Sequence, residues 1–164
     1  MKTMRHPTTA FPLITLPTTM PTAREDEASL TRSTLLEHPV REEFRILLVD
    51  DDPDIRECVA ELLRCHGVEV TTARSGSDGF ATFLHERPDF VLSDLSMPDG
   101  DGFELIARIR ALAPGDGGRT PAIALSAEGH VKTAIMAGYD AFIAKPFEPA
   151  TLLSFIDNFS RIDG

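Results

Sequence analysis

The sequence predicts an α/β fold, a doubly wound parallel sheet of five strands with helices on both faces. Three observations predict it. From Phe44 onward, short apolar runs alternate five times with segments of helical period, the signature of β–α units whose strands are covered on both sides. Caps and breakers (Asp52-Pro53, Gly67, Ser75-Gly76, Pro88-Asp89, Gly138, Pro149) separate the runs. Apolar residues make up 42% of the 164, enough to bury one core, and the length suits one domain with a tail.

The first run, residues 45–49, is apolar and ends in Asp50. Asp52 suits an N-cap and Pro53 the first helical position. Ile55, Cys58, Val59, Leu62 and Leu63 then recur at helical spacing, which predicts an inward face carrying Cys58, with Cys65 packed similarly. Gly67 stops the helix. Residues 68–73 are a β-rich run, and 75–87 a helix with Phe80, Phe83 and Leu84 inward. Residues 90–92 form the third run, ending at Ser93-Asp94. Leu105, Ile106, Ile109 and Leu112 mark a third helix, and 114–120 a glycine-rich loop. Residues 122–125 are a strand ending at Ser126, and 131–137 a short helix stopped by Gly138. Residues 141–144 are a strand ending at Lys145-Pro146. Pro149 opens a last helix with Leu152, Phe155, Ile156 and Phe159 on one face.

Residues 1–43 differ. They hold five of the 12 prolines and are rich in threonine, a composition that opposes a packed element and predicts a flexible tail. A short helix over 25–37 is the alternative. The folded domain is expected over 44–164. The formal charge is -10, of which residues 45–164 carry -9. That balance argues against direct nucleic-acid binding, which needs a basic face. Two cysteines make neither a disulfide framework nor a zinc site. No stretch has the length of a membrane span, and prolines interrupt the apolar patch at 11–16, so neither a span nor a signal peptide is expected. The expectation is a cytoplasmic protein.

In a parallel sheet all strands point one way, and ligands bind at their carboxyl ends. Asp50-Asp51-Asp52, Asp94, Ser126 and Lys145 all fall at such ends. Clustered carboxylates repel one another, the more so at a low-dielectric edge. A divalent cation offsets the repulsion, and oxygen-only ligands suit magnesium. Lys145 adds a second positive charge. One carboxylate is then free to act as a nucleophile toward a phosphoryl group. Capping and dipole complementation account for Asp52 and Asp54. Asp99 and Asp101 fit a turn, since no acids follow at calcium-loop spacing. The five histidines show no metal spacing.

Four segments together (Leu47-Leu48-Val49-Asp50-Asp51-Asp52-Pro53-Asp54-Ile55-Arg56, Leu92-Ser93-Asp94 through Gly102, Leu125-Ser126-Ala127 and Ala144-Lys145-Pro146-Phe147) resemble the receiver domain of two-component response regulators. The resemblance covers about residues 44–161. It implies the flavodoxin-like strand order 2-1-3-4-5. It implies that Asp94 accepts a phosphoryl group from the phosphohistidine of a histidine kinase or phosphotransfer protein. Mg²⁺ would be held by Asp51 directly, by Asp50 mainly through water, by the Asp94 carboxylate and by the Ser96 carbonyl. Ser126 would be the switch hydroxyl, with small Ala127 leaving room for the phosphoryl group. Lys145 would pair with the phosphoryl group or with Asp94. Phe142 would be the aromatic switch, or simply core. A cis bond is implied at Lys145-Pro146.

Two departures stand out. Serine replaces the commoner threonine at 126, which keeps the hydroxyl and loosens its rotamer. The segment 126–138 is short by about one helical turn, which predicts a shortened fourth helix and an altered output face. Ser96 and Glu128 are expected to tune the phosphoryl lifetime. The loop at 114–121 resembles those of receivers attached to hybrid kinases, so a relay role is compatible. No helix-turn-helix module is found, so output is expected through an unknown downstream protein rather than DNA. A haloacid-dehalogenase-type phosphatase also uses an aspartate nucleophile. Those enzymes usually carry a second aspartate two residues on, where Ser96 stands here, and no cap domain is seen. A receiver-like binding module that is never phosphorylated is the remaining alternative.

Overall fold

The computed structural model describes residues 44–98, 102–127 and 130–160. The tail at 1–43, the alternative helix at 25–37, the turn at Asp99 and Asp101, and Glu128 lie outside the described residues. Five strands and five α-helices alternate: β1 (Arg45–Val49), α1 (Pro53–Cys65), β2 (Glu69–Ala73), α2 (Gly76–Glu86), β3 (Phe90–Asp94), α3 (Gly102–Arg110), β4 (Ala122–Ser126), α4 (Val131–Ala137), β5 (Ala141–Ala144) and α5 (Pro149–Ser160). All neighbouring strands are parallel, in the order β2-β1-β3-β4-β5. This is the expected doubly wound fold. Within the glycine-rich connection, Pro114–Asp116 winds one 3-10 turn.

Alternation along the strands divides the core into two layers. Ile46, Leu48, Leu92 and Leu125 face Val59 and Leu63 of α1 and Leu152 and Ile156 of α5. Leu47, Val49, Val91 and Ala124 face Phe83 of α2 and Leu105, Ile106 and Ile109 of α3. The central strands β3 and β4 are buried along their whole length, as both-face coverage demands.

Local signals start the helices where they were expected. The Asp52 side chain accepts from the amides of Asp54 (2.9 Å) and Ile55 (3.2 Å) with Pro53 next in line, and the Ser75 hydroxyl accepts from Asp78 (3.1 Å). Helix α4 has seven residues, the shortened element expected. Gly138 ends it at φ 117°, a left-handed conformation open to glycine.

Three side chains depart from expectation. Cys58 and Cys65 are exposed, because the buried stripe of α1 is Val59, Ala60 and Leu63. Small Ala60, fully buried, lets the helix lie with that side on the sheet, which turns both cysteines away. Leu84 is 47% exposed. The buried positions of α2 are Gly76, Gly79 and Phe83, so its glycines, not Leu84, meet the core.

Arginines close the loops. Arg45 donates to the carbonyls of Glu86 (2.9 Å) and Arg87 (3.1 Å), and Arg64 to that of Val70 (3.1 Å). Arg110 does most. It donates to Gly138 O (2.8 Å), Thr120 O (2.8 Å) and Asp140 Oδ2 (2.8 Å), and the same Asp140 oxygen accepts from the amide of Ala122 (2.8 Å). The end of α4 is thereby tied to the entrance of β4. Among the described residues no helix is long and apolar enough to cross a membrane.

Arg110→Ala is expected to lower the unfolding free energy by about 2 kcal/mol, because the carbonyls of Gly118, Thr120 and Gly138 lose a charged donor while the exposed Asp140 pair adds little. Arg110→Lys should recover less than half. Urea titration followed by circular dichroism measures both.

Candidate functional site

The carboxyl edge of the sheet gathers four strand ends. Asp50 follows β1, its amide continuing the ladder to Ala73 O (3.1 Å). Asp94 and Ser126 are the last residues of β3 and β4. Lys145 follows β5, its amide donating to Ser126 O (2.8 Å), and the Lys145–Pro146 peptide is cis. Backbone pairing thus sets the level of each side chain at the edge.

Asp50 is fully buried and Asp94 8% exposed, while Asp51 is exposed. Lys145 Nζ lies 2.7 Å from Asp50 Oδ2 and 3.7 Å from Asp94 Oδ2. The other oxygen of Asp50 accepts from the amide of Asp52 (3.0 Å), and Asp94 Oδ1 from that of Ser96 (3.4 Å). One oxygen each of Asp50, Asp51 and Asp94 lie within 4.8 Å of one another. Three carboxylates thus meet with one ammonium inside ion-pair distance of two of them. Such an excess of negative oxygen suits a hard divalent cation.

Burial raises the Asp94 carboxyl above the usual carboxylate range. Lys145 opposes that shift and the Asp50 charge adds to it, while the Ser96 and Leu95 amides pull it back. The Ser126 hydroxyl is buried with no hydrogen-bond partner among the described residues. An unmade bond of this kind costs about 1–3 kcal/mol, so the hydroxyl is set to receive an oxygen arriving at the edge.

Of the residues singled out from sequence, Asp50, Asp51, Asp94 and Lys145 converge, and Ser126 sits at the adjoining strand end. Ser96 is exposed beside Asp94. Phe142 is apart from the cluster. It lies in register with Ala124, partly buried against the α2–α3–α4 layer. Asp52 caps α1.

Two supports had no role in the sequence reading, Arg56, which closes the first motif, and Tyr139, which was not singled out. Arg56 Nη1 donates to the carbonyls of Asp50 (2.7 Å) and Asp51 (3.4 Å). Tyr139, buried, donates its hydroxyl to Gly102 O (2.7 Å). Gly102 in turn donates to Leu95 O (3.1 Å), and a Cβ there would overlap the Asp94 carbonyl oxygen. Only glycine lets the start of α3 close on the strand end that carries Asp94. For Arg56 the available signal was a cation one turn into the helix after an acidic run. For Tyr139 there was none, since its partner is 37 residues away.

A family model described as the response regulator receiver domain matches residues 46–157. The "uncharacterized 14.6 kDa protein in sodA1 3′ region" of Leptolyngbya boryana is 37% identical over 117 residues, 70% of this chain and 88% of that protein. The transcriptional regulatory protein GlrR of Escherichia coli K12 is 37% identical over 116 residues, 69% of this chain and 25% of GlrR. The chain spans about half or less of the transcriptional regulators it matches. Among solved structures, the receiver domain of sensor histidine kinase PA1611 from Pseudomonas aeruginosa has a magnesium ion coordinated in its active-site cleft. It is 31% identical with a TM-score of 0.66, covering 72% of this chain and 98% of that one.

The raised Asp94 carboxyl yields a stability prediction. Its ionised form weakens the metal-free fold fully above the raised value. It has no effect well below the ordinary range, where folded and unfolded chains both hold the proton. Asp94→Asn is expected to raise the melting temperature by a few degrees in chelator at about pH 7. The gain should shrink as the pH falls toward about 3.5, and thermal melts at the two pH values check the sign.

Proposed function

The chain belongs to the response regulator receiver family of two-component systems, and from that premise we propose that it is a signalling switch that takes a phosphoryl group onto Asp94. The observation that carries the proposal is Lys145 placed between the buried Asp50 (2.7 Å) and Asp94 (3.7 Å) at the sheet edge.

The donor is the phosphohistidine of a histidine kinase or phosphotransfer protein. An Asp94 carboxylate oxygen attacks phosphorus, the new O–P bond forms as the P–N bond breaks, and the imidazole leaves on the donor. Phosphoryl transfer needs mainly positioning and charge neutralisation. Lys145 supplies positive charge to the incoming oxygens, and the Ser126 hydroxyl, without a partner among the described residues, donates to one of them. Ala127, small and exposed, leaves space there. The all-oxygen cluster fits Mg²⁺, which Asp50, Asp51, Asp94 and the Ser96 carbonyl would hold. When bound, Mg²⁺ offsets the charge of the carboxylates and of the phosphoryl oxygens.

The phosphoryl group itself carries about -1.5 to -2 charge, and since the Asp94 carboxylate gives up its own charge in the new bond, the edge gains roughly one negative charge or less together with new acceptor oxygens. Ser126 then moves toward its new acceptor, and Phe142, already partly buried on β5, follows inward. The output surface is altered by the seven-residue α4, whose Val131, Ile135 and Met136 are exposed. For the donor, an apolar groove of about 590 Å³ opens beside Lys145, lined also by Ile55, Cys58, Leu62, Pro146 and Phe147. Such a surface suits a partner helix. The switch acts in the cytoplasm, by binding a downstream protein or by passing the phosphoryl group along a relay.

Asp94→Asn is expected to abolish phosphate incorporation from acetyl phosphate, read by phosphate-affinity electrophoresis. Labelling of that variant at the wild-type rate would remove the acceptor assignment. In the same assay Lys145→Ala should still incorporate some phosphate but lose most of the conformational response seen by NMR. Asp51→Ala should raise the half-saturating Mg²⁺ concentration by at least about tenfold.

A further inference from the structure

Arg56 stands behind the acidic turn rather than in it. Its Nη1 donates to Asp50 O at 2.7 Å and to Asp51 O at 3.4 Å, while its own amide makes the first bond of α1, to Asp52 O (2.9 Å). The Asp50 amide is the last on this strand to pair with β2, through Ala73 O. Beyond that point the chain leaves the sheet to enter the helix, and the guanidinium supplies the hydrogen bond that the sheet no longer does. Two consecutive peptide planes are thereby pinned from one side. The first belongs to Asp50, whose carboxylate is already anchored by Lys145 and the Asp52 amide. The second belongs to Asp51, whose carboxylate is exposed and so takes its direction from its backbone. Arg56 is half-buried, and among the described residues its guanidinium donates to carbonyls, not carboxylates. It therefore holds the backbone that carries the acids, and its charge acts on their carboxylates only from a distance.

We infer that Arg56 is a positioning residue for the divalent-cation site: by pinning the Asp50 and Asp51 carbonyls it aims the Asp51 carboxylate at the point it shares with Asp50 and Asp94. The inference rests on the Mg²⁺ assignment proposed for that cluster. Removing Arg56 sets two effects against each other. Loss of the pin frees the Asp51 carboxylate and weakens the site. Loss of a nearby positive charge favours any cation and strengthens it. If Arg56 positions, the first effect wins.

Mg²⁺ titration by calorimetry on the full chain distinguishes the two. Arg56→Met keeps the length of the aliphatic stem and removes charge and donors, and it is expected to weaken Mg²⁺ binding about tenfold, the lower end for groups that orient metal ligands. Arg56→Lys, with one ammonium able to reach a carbonyl, should recover part of the loss. In acetyl phosphate reactions Arg56→Met should raise the half-saturating Mg²⁺ and leave the rate at saturating Mg²⁺ nearly unchanged. Unchanged or tighter Mg²⁺ binding in Arg56→Met would overturn the inference, as would an equal fall in rate at all Mg²⁺ concentrations. A wild-type chain that takes up no Mg²⁺ would defeat the metal assignment itself. The positioning role is then read in chelator from hydrogen exchange: the Asp52 amide should exchange faster in Arg56→Met, and an unchanged rate would overturn it.

Discussion

Three carboxylates share one edge of this molecule, and their mutual repulsion is the constraint around which the rest is arranged. Asp50 is buried, Asp94 nearly so, and Asp51 meets them from solvent. Lys145 reaches both buried acids, yet one ammonium cannot balance three charges. Burial adds to the cost of the Asp94 charge and raises its carboxyl above the ordinary value, with Asp50 adding to the shift and Lys145 opposing it. At the adjoining strand end Ser126 buries a hydroxyl with no partner among the described residues. A fold selected for stability alone would avoid both features. Their co-location marks an edge that keeps electrostatic strain for a ligand to relieve.

The sheet makes this arrangement rigid. Each side chain stands at a strand end whose height is set by parallel register, as where the Lys145 amide pairs with Ser126 O. The helices then seal the two faces, with α1 entering directly from the acidic turn under the Asp52 cap. On the other face, Gly102 closes on the Asp94 carbonyl while Tyr139 holds the Gly102 carbonyl. The strand that carries Asp94 is thus tied through α3 to the segment between α4 and β5. A short α4 is compatible with that tie, because the Arg110 bonds to Gly138 O and Asp140 anchor its exit.

Arginine has a consistent use in this chain. Arg45, Arg56, Arg64 and Arg110 each donate to backbone carbonyls, at the end of α2, after β1, on the edge strand β2 and before β4. Carbonyls leaving a sheet or helix need partners, and a planar guanidinium can serve two or three at once. Three of the four act away from the acids, as plain staples. Arg56 acts where the stapled backbone carries the acids Asp50 and Asp51.

Much of this was legible in the chain itself. Strand and helix positions follow from apolar period and from caps such as Asp52-Pro53 and Gly138, which act within a few residues of where they stand. The placement of Asp50, Asp94, Ser126 and Lys145 at one edge follows from the rule that parallel strands end together. The seven-residue α4 follows from the spacing between Ser126 and Gly138. What local pattern did not decide was rotation and reach. Cys58, Cys65 and Leu84 fit an apolar stripe by spacing, yet face solvent, because the depth to which α1 and α2 settle depends on Ala60, Gly76 and Gly79 against the sheet. The bonds of Arg110 to Gly138 and of Tyr139 to Gly102 join residues 28 and 37 positions apart. Period and capping are properties of neighbouring residues. The roll of a helix and the partner of a long side chain are settled only when distant surfaces pack.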